Sequence, residues 1–153
     1  MAVESLAGTT LGISAVAPAT FTEAGYEALT FANIGEITDP GEHGRTYALI
    51  THMPIDKRNT QKFKGSFNEG QMTLQLAVNT EDPGQVTLQA AKVSDASYYF
   101  AMTYQGGDIH YFPAKVMSFT YAGGGVDTIR AGSVQLELTS DASGVGIIEV
   151  EAP

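Results

Sequence analysis

The chain has no cysteine, and only 8 of its 153 residues are Lys or Arg. Without cysteine there can be no disulfide, no thiolate metal ligand and no cysteine nucleophile. Eight basic residues against 17 acidic ones leave a net charge of −9. That is the wrong sign for a protein that grips nucleic acid through its phosphates, which takes a basic stripe. It suits a surface that nucleic acid must slide past, where attraction would be a fault. No apolar run approaches the ~20 residues that span a bilayer. The opening Met1-Ala2-Val3-Glu4-Ser5 lacks the basic and apolar regions of a signal peptide. A soluble protein made in a cytoplasm, with no membrane partner, is expected.

Chemical signatures are equally sparse. His43, His52 and His110 fall on a loop, a strand and a hairpin, in no metal-binding spacing, and His52 reads as an ordinary sheet histidine. No GxSxG elbow is present. Gly123 to Gly125 lacks the Lys-Ser/Thr of a phosphate loop and reads as a turn. Glu36, Asp39 and Glu42 gather near Gly41 and Gly44, but their spacing matches no EF-hand, so a solvated acidic turn is expected. Catalytic residues, cofactors and metals are all expected to be absent.

Strand patterns dominate what is there. Met72, Leu74, Leu76 and Val78 alternate with Gln71, Thr73, Gln75 and Ala77, the period of a half-buried strand. Tyr98 to Tyr104 and Ile109 to Phe112 flank Gln105-Gly106-Gly107-Asp108 and predict a hairpin. Pro113 predicts a bend or bulge, after which Met117, Phe119 and Tyr121 resume the alternation. Val134, Leu136 and Leu138 mark another strand, and Gly146 to Glu151 the last. Thr9 to Ala15, Ala28 to Ile37 and Thr46 to Met53 complete the set.

One helix is predicted from about Pro83 to Val93. Asp82 supplies its N-cap, Pro83 its first residue and Gln85 the third position past the cap. Val86, Ala90 and Val93, widened by Leu88 and Ala91, give an apolar stripe that would lie on the sheet. The expected fold is therefore mainly β (α+β): an antiparallel β-sandwich or barrel with one packed helix, in a single domain over residues 1–153.

Three stretches fit no compact core: an N-terminal arm, residues 1–8; Val16 to Gly25; and a long inter-strand loop from Pro54 to Gly70. Loops longer than about 12–15 residues usually serve a purpose or are disordered. This one holds half of the basic residues, Lys57, Arg58, Lys62 and Lys64, together with Phe63 and Phe67. Aromatic anchors ringed by cations suit docking on a neighbouring acidic copy, and these six are the candidate inter-subunit contacts. A loop folded back onto its own domain, or a solvated basic loop, is the plainer alternative.

The order of segments from Ile34-Gly35-Glu36 through Ile50-Thr51-His52-Met53-Pro54, the basic loop, the strand Met72 to Val78 and the helix opening Asp82-Pro83-Gly84-Gln85 resembles the major tail tube proteins of siphophages and gene transfer agents. The segment Ala7-Gly8-Thr9-Thr10-Leu11 is similar to the start of their first strand. The resemblance implies a homo-oligomer whose six-membered rings stack into a tube through the arm and the long loop. It further implies partners at the tube ends (tail terminator, tape measure and distal tail proteins), DNA passing through the lumen without specific binding, and a place in the virion tail after assembly in the host cytoplasm. Acidic side chains are expected to outnumber basic ones on the inner wall, and a chain stopping at Pro153 would be a minimal form. The arm and the loop are expected to be mobile in the free subunit and ordered on stacking. Two alternatives stay open: a tube of a contractile injection or type VI secretion system, and a monomeric β-sandwich ligand-binding module with Tyr98, Tyr99, Tyr104 and Tyr111 as an aromatic platform.

Overall fold

The computed structural model describes residues 3–141 and 143–153. Ten strands and two helices follow in the order β1 (Thr10–Ser14), α1 (Glu23–Glu27), β2 (Ala32–Asn33), β3 (Ile37–Asp39), β4 (Thr46–His52), β5 (Gln61–Asn68), β6 (Gln71–Ala77), α2 (Pro83–Val93), β7 (Tyr98–Thr103), β8 (Ile109–Tyr121), β9 (Ala131–Leu138) and β10 (Ile148–Val150). All but β4 and β5 join one antiparallel sheet ordered β2-β1-β7-β8-β9-β6-β3, with β10 paired to β8. The two end strands of this order are neighbours in sequence. Ile34 N–H donates to Leu11 O and Ala77 N–H donates to Glu36 O. The short connection 34–36 thus stitches the two edges together, and the sheet curls towards a barrel.

The alternation in β6 and β9 sets the core. Met72, Leu74 and Leu76 are buried with Val134, Leu136 and Leu138, and their neighbours Gln71, Thr73, Gln75, Ser133, Gln135 and Glu137 face the other way. Helix α2 covers the same core with Leu88 and Ala91, whereas Val86, Ala90 and Val93, expected as the centre of its apolar stripe, face away from the core and are exposed. Its start is held twice, because Asp82 Oδ2 accepts from Gln85 N–H (3.0 Å) and from Gly35 N–H (3.1 Å). Gln85 is buried with its polar atoms all paired: Oε1 accepts from Asn79 N–H, and Nε2 donates to Gly35 O and Ala77 O. It bridges the helix to the seam of the sheet and does not fold back on its own cap.

Several expectations need correction. The stretch Val16 to Gly25 is not outside the core: Thr22 caps α1, and Tyr26 on that helix is fully buried against Tyr99, Tyr111 and Phe21. Among the described residues two helices are therefore present, the first only five residues long. The expected strand Ala28 to Ile37 is broken into β2 and β3 by Glu36, whose φ of 62° turns the chain. Pro113 does not bulge β8, whose register with β7 runs unbroken past it. Thr139 N–H donates to its carbonyl, the ladder group that proline keeps, and the register shift falls between Val116 and Ser118. The arm from residue 3 to 8 is exposed, and Met1 and Ala2 lie outside the described residues.

Candidate functional site

Pro54 to Gly70 is not one long loop. Its second half is strand β5, which pairs antiparallel with β4 to make a two-stranded sheet separate from the barrel. Gly65 hides the strand in the sequence, because it interrupts the apolar set Phe63 and Phe67. In space it sits at a bulge, where Gly65 and Ser66 together oppose Ala48, so Phe67 comes opposite Tyr47 and Phe63 opposite Ile50. The remaining loop is the tip, 53–60, where Lys57 N–H donates to Pro54 O.

Every residue of β4 is exposed, His52 included, although its apolar run would suit a strand with a covered face. Leu49 (65% exposed), Ile50 (50%) and Phe63 (54%) lie on the surface, with Tyr47 and Phe67 only somewhat more covered. The hairpin packs its side chains chiefly on each other: Tyr47 meets Phe67 edge to face at 5.7 Å, and the Lys64 ammonium sits 4.8 Å from the Tyr47 ring centre. A lone two-stranded ribbon is marginal in water, and clustered exposed apolar residues mark an interaction surface.

The root of the hairpin is tied down by Arg45. Its Nε and Nη2 both donate to Glu69 Oε1 (3.0 and 2.6 Å), Nη2 also reaches Gly144 O, and the guanidinium lies 3.9 Å above the Phe67 ring. Glu69 is buried with its carboxylate against Gly146. The hydrogen bonds to Glu69, followed by one to the Tyr47 hydroxyl, raise the Arg45 pKa further above its ordinary value.

The structure gathers the six candidate contacts onto this one element. Lys57 and Arg58 occupy the tip, and Lys62, Phe63, Lys64 and Phe67 lie on β5. Among the described residues the four cations have no carboxylate partner within the molecule, since the ion pair present is Arg45 with Glu69. Fold-back of a loop onto the domain is not what the chain does. The four tyrosines, by contrast, form no exposed platform: Tyr111 is buried, Tyr99 packs beside it in the Tyr26 cluster, and Tyr98 and Tyr104 are half-buried against the main core. Asp39 and Glu42 lie in an exposed turn, where Asp39 Oδ1 accepts from Gly41 N–H. His43 and His110 meet in space although 67 positions apart, which no local spacing could have signalled.

No protein-family model matches the chain, and no curated protein matches its sequence. The fold, however, is shared with tube-forming particles. A chain of the six-fold symmetrised baseplate of the anti-feeding prophage superposes with a TM-score of 0.66 at 8% identity, over 98% of this chain and 97% of that one. A chain from the sheath/tube terminator of the extracellular contractile injection system PVC, in its extended state, gives 0.66 at 11% identity over 99% of each. The SPP1 tail tube gives 0.63 at 13% identity, over 94% of this chain and 77% of that one. The chain thus has the fold of phage tail and contractile-injection tube proteins.

Proposed function

We propose that the chain is the structural subunit of a tail-type tube, in which copies close into rings and the rings stack into a hollow conduit. The β4–β5 hairpin carries this reading. It leaves the barrel with both faces uncovered, bears four cations without a carboxylate partner among the described residues, and belongs to a molecule whose net charge is −9. A second copy offers both the apolar cover and the acidic counter-surface such an element needs.

Rings of six are the natural closure, a reading supported by the six-fold symmetry imposed on the anti-feeding prophage baseplate. The tube would meet terminator, tape measure and distal tail proteins at its ends and sit in a virion tail, with DNA as the cargo. The sheet face opposite the core suits a conduit wall. Across β6, β9 and β8 it is laid with Gln, Ser and Thr, which bond one another (Gln135 Nε2 to Gln71 Oε1, Gln75 Nε2 to Ser133 Oγ), and its Lys115 stands directly opposite Glu137. Such a wall offers a sliding polyanion no basic track. The near-neutral face, and the fold shared with chains of the extracellular contractile injection system PVC, favour a tube of that kind as the second reading.

Negative-stain microscopy of the purified protein at rising concentration tests the proposal, beside a variant with Ile50→Ser, Phe63→Ser and Lys64→Glu on the hairpin. Hollow tubes from the parent, alone or once seeded with preformed tail tips, and none from the variant under either condition are expected. A parent that stays a monodisperse monomer at all concentrations, even when seeded with preformed tail tips, would sink it.

A further inference from the structure

His43 Nε2 and His110 Nδ1 lie 2.8 Å apart, with the rings edge to face at 5.0 Å. The His43 ring also stacks on Phe112 of the core (5.7 Å, 29°). Tyr104 stands edge-on to His110 at 5.0 Å, its hydroxyl 3.5 Å from the same Nδ1. Acidic groups stand beside the pair: Glu149 is the cross-strand partner of His110 on β10, Asp108 precedes β8, and Glu42 neighbours His43 on its own segment. Arg45, two residues on, is engaged with Glu69.

A hydrogen bond between two imidazoles requires one ring to donate and the other to accept, so at least one must be neutral. When both are protonated neither nitrogen can accept, and two cations face each other at contact distance. Burial first, and the neighbouring His110 second, push the His43 pKa below its ordinary 6.5, with Glu149 opposing them. A histidine whose folded pKa is depressed adds stability that is present above about pH 6.5 and is lost as pH falls through the folded value.

The position gives this chemistry a consequence. His43 sits in the connection from β3 to the hairpin. Among the described residues, the imidazole pair is the one hydrogen bond that ties residues 40–44 to another element of the fold. We propose that the His43–His110 pair is an acid-released latch, which clips this connection to the barrel and fixes the path of the chain into the hairpin, and which opens when both rings are protonated. The latch is a property of the single subunit and stands whether or not the chain builds a tube.

A nitroxide on Gly44→Cys, at a position with open space for a side chain in a chain that has no other cysteine, reads it directly at about pH 7.5 and about pH 5. Its mobility is expected to rise several-fold in acid while that of a label on β6 at Gln71→Cys holds. His43→Phe keeps the stack on Phe112 but has no proton to gain, so its label should be mobile at both pH values. Label mobility in the parent that is unchanged by acid would overturn the latch, as would a His43→Phe protein with the parent's full acid response. Because the acid response of the parent is decisive by itself, a variant that failed to fold would not rescue the idea.

Discussion

Arg45 directs two nitrogens at a single oxygen of Glu69, leaving the other carboxylate oxygen, Oε2, buried with no hydrogen-bond partner. The pair joins the first residue before β4 to the first after β5, so it closes the hairpin at its root. Removing the cation strands a buried carboxylate, which costs more than removing the charge from both sides. Arg45→Ala is therefore expected to lower the urea midpoint more than Glu69→Gln, and the double variant should recover part of the loss. Equal midpoints for the two single variants would show that the pair does not hold the root.

Hairpin substitutions should separate folding from assembly. Leu49, Ile50 and Phe63 are half or more exposed, so Ile50→Ser or Phe63→Ser should move monomer stability by no more than ~0.5 kcal/mol. Each should nonetheless abolish or sharply slow higher-order assembly in light scattering. A large loss of monomer stability would mean that the hairpin packs on its own domain in solution.

Salt gives an orthogonal reading. If Lys57, Arg58, Lys62 and Lys64 steer an acidic neighbour, association should slow as ionic strength rises and the screening length shrinks from ~8 Å at 0.15 M to ~3 Å at 1 M. Charge reversal at Lys62 and Lys64 should flatten that dependence. Rates indifferent to salt would leave the apolar residues as the whole of the interface.

At the seam, Asp82→Ala removes acceptors from both Gln85 N–H and Gly35 N–H. A lost N-cap costs ~1 kcal/mol, and the second orphaned donor should carry the total to about 2 kcal/mol. Leu88→Ala, beneath the same helix, should cost ~2–5 kcal/mol. Thermal or urea unfolding monitored by circular dichroism measures both.

Tyr26 offers a prediction of the opposite sign. Its hydroxyl is buried without a partner, and desolvation raises its pKa well above the ordinary phenol value. Tyr26→Phe keeps the ring in its aromatic cluster and removes the stranded group. The variant should be as stable as the parent or more so, by up to ~1 kcal/mol. A clear loss would reveal a hidden partner for the hydroxyl.

How much of this was legible depends on where each residue finds its partner. Helix α2 could be bounded to the residue because its cap is local, although its expected stripe of Val86, Ala90 and Val93 proved to be the exposed side, and β6 and β9 were found because each buries a single face. Strand β5 escaped, since an element exposed on both sides owes nothing to the core and its pattern is cut by Gly65. β2 and β3 merged in the sequence because a left-handed glutamate, not a glycine or proline, breaks them. The six candidate contacts stand out in the sequence as a group, through charge and aromatics, while the strand that displays four of them does not. His43 and His110 carried no shared signal, for only the closure of the sheet brings them together.

The uncovered ribbon also bears on timing. In the proposed tube, a subunit whose β4 and β5 are braced, among the described residues, chiefly by each other and by Arg45 would spend ordering entropy on that ribbon at the moment a neighbour arrives. Encounters between loose subunits would then be discouraged, while a ready-made end that presents its complementary surface in fixed form would be rewarded. Growth would thus be confined to an existing tip, and a concentrated pool of subunits could wait in solution without polymerising in the wrong place.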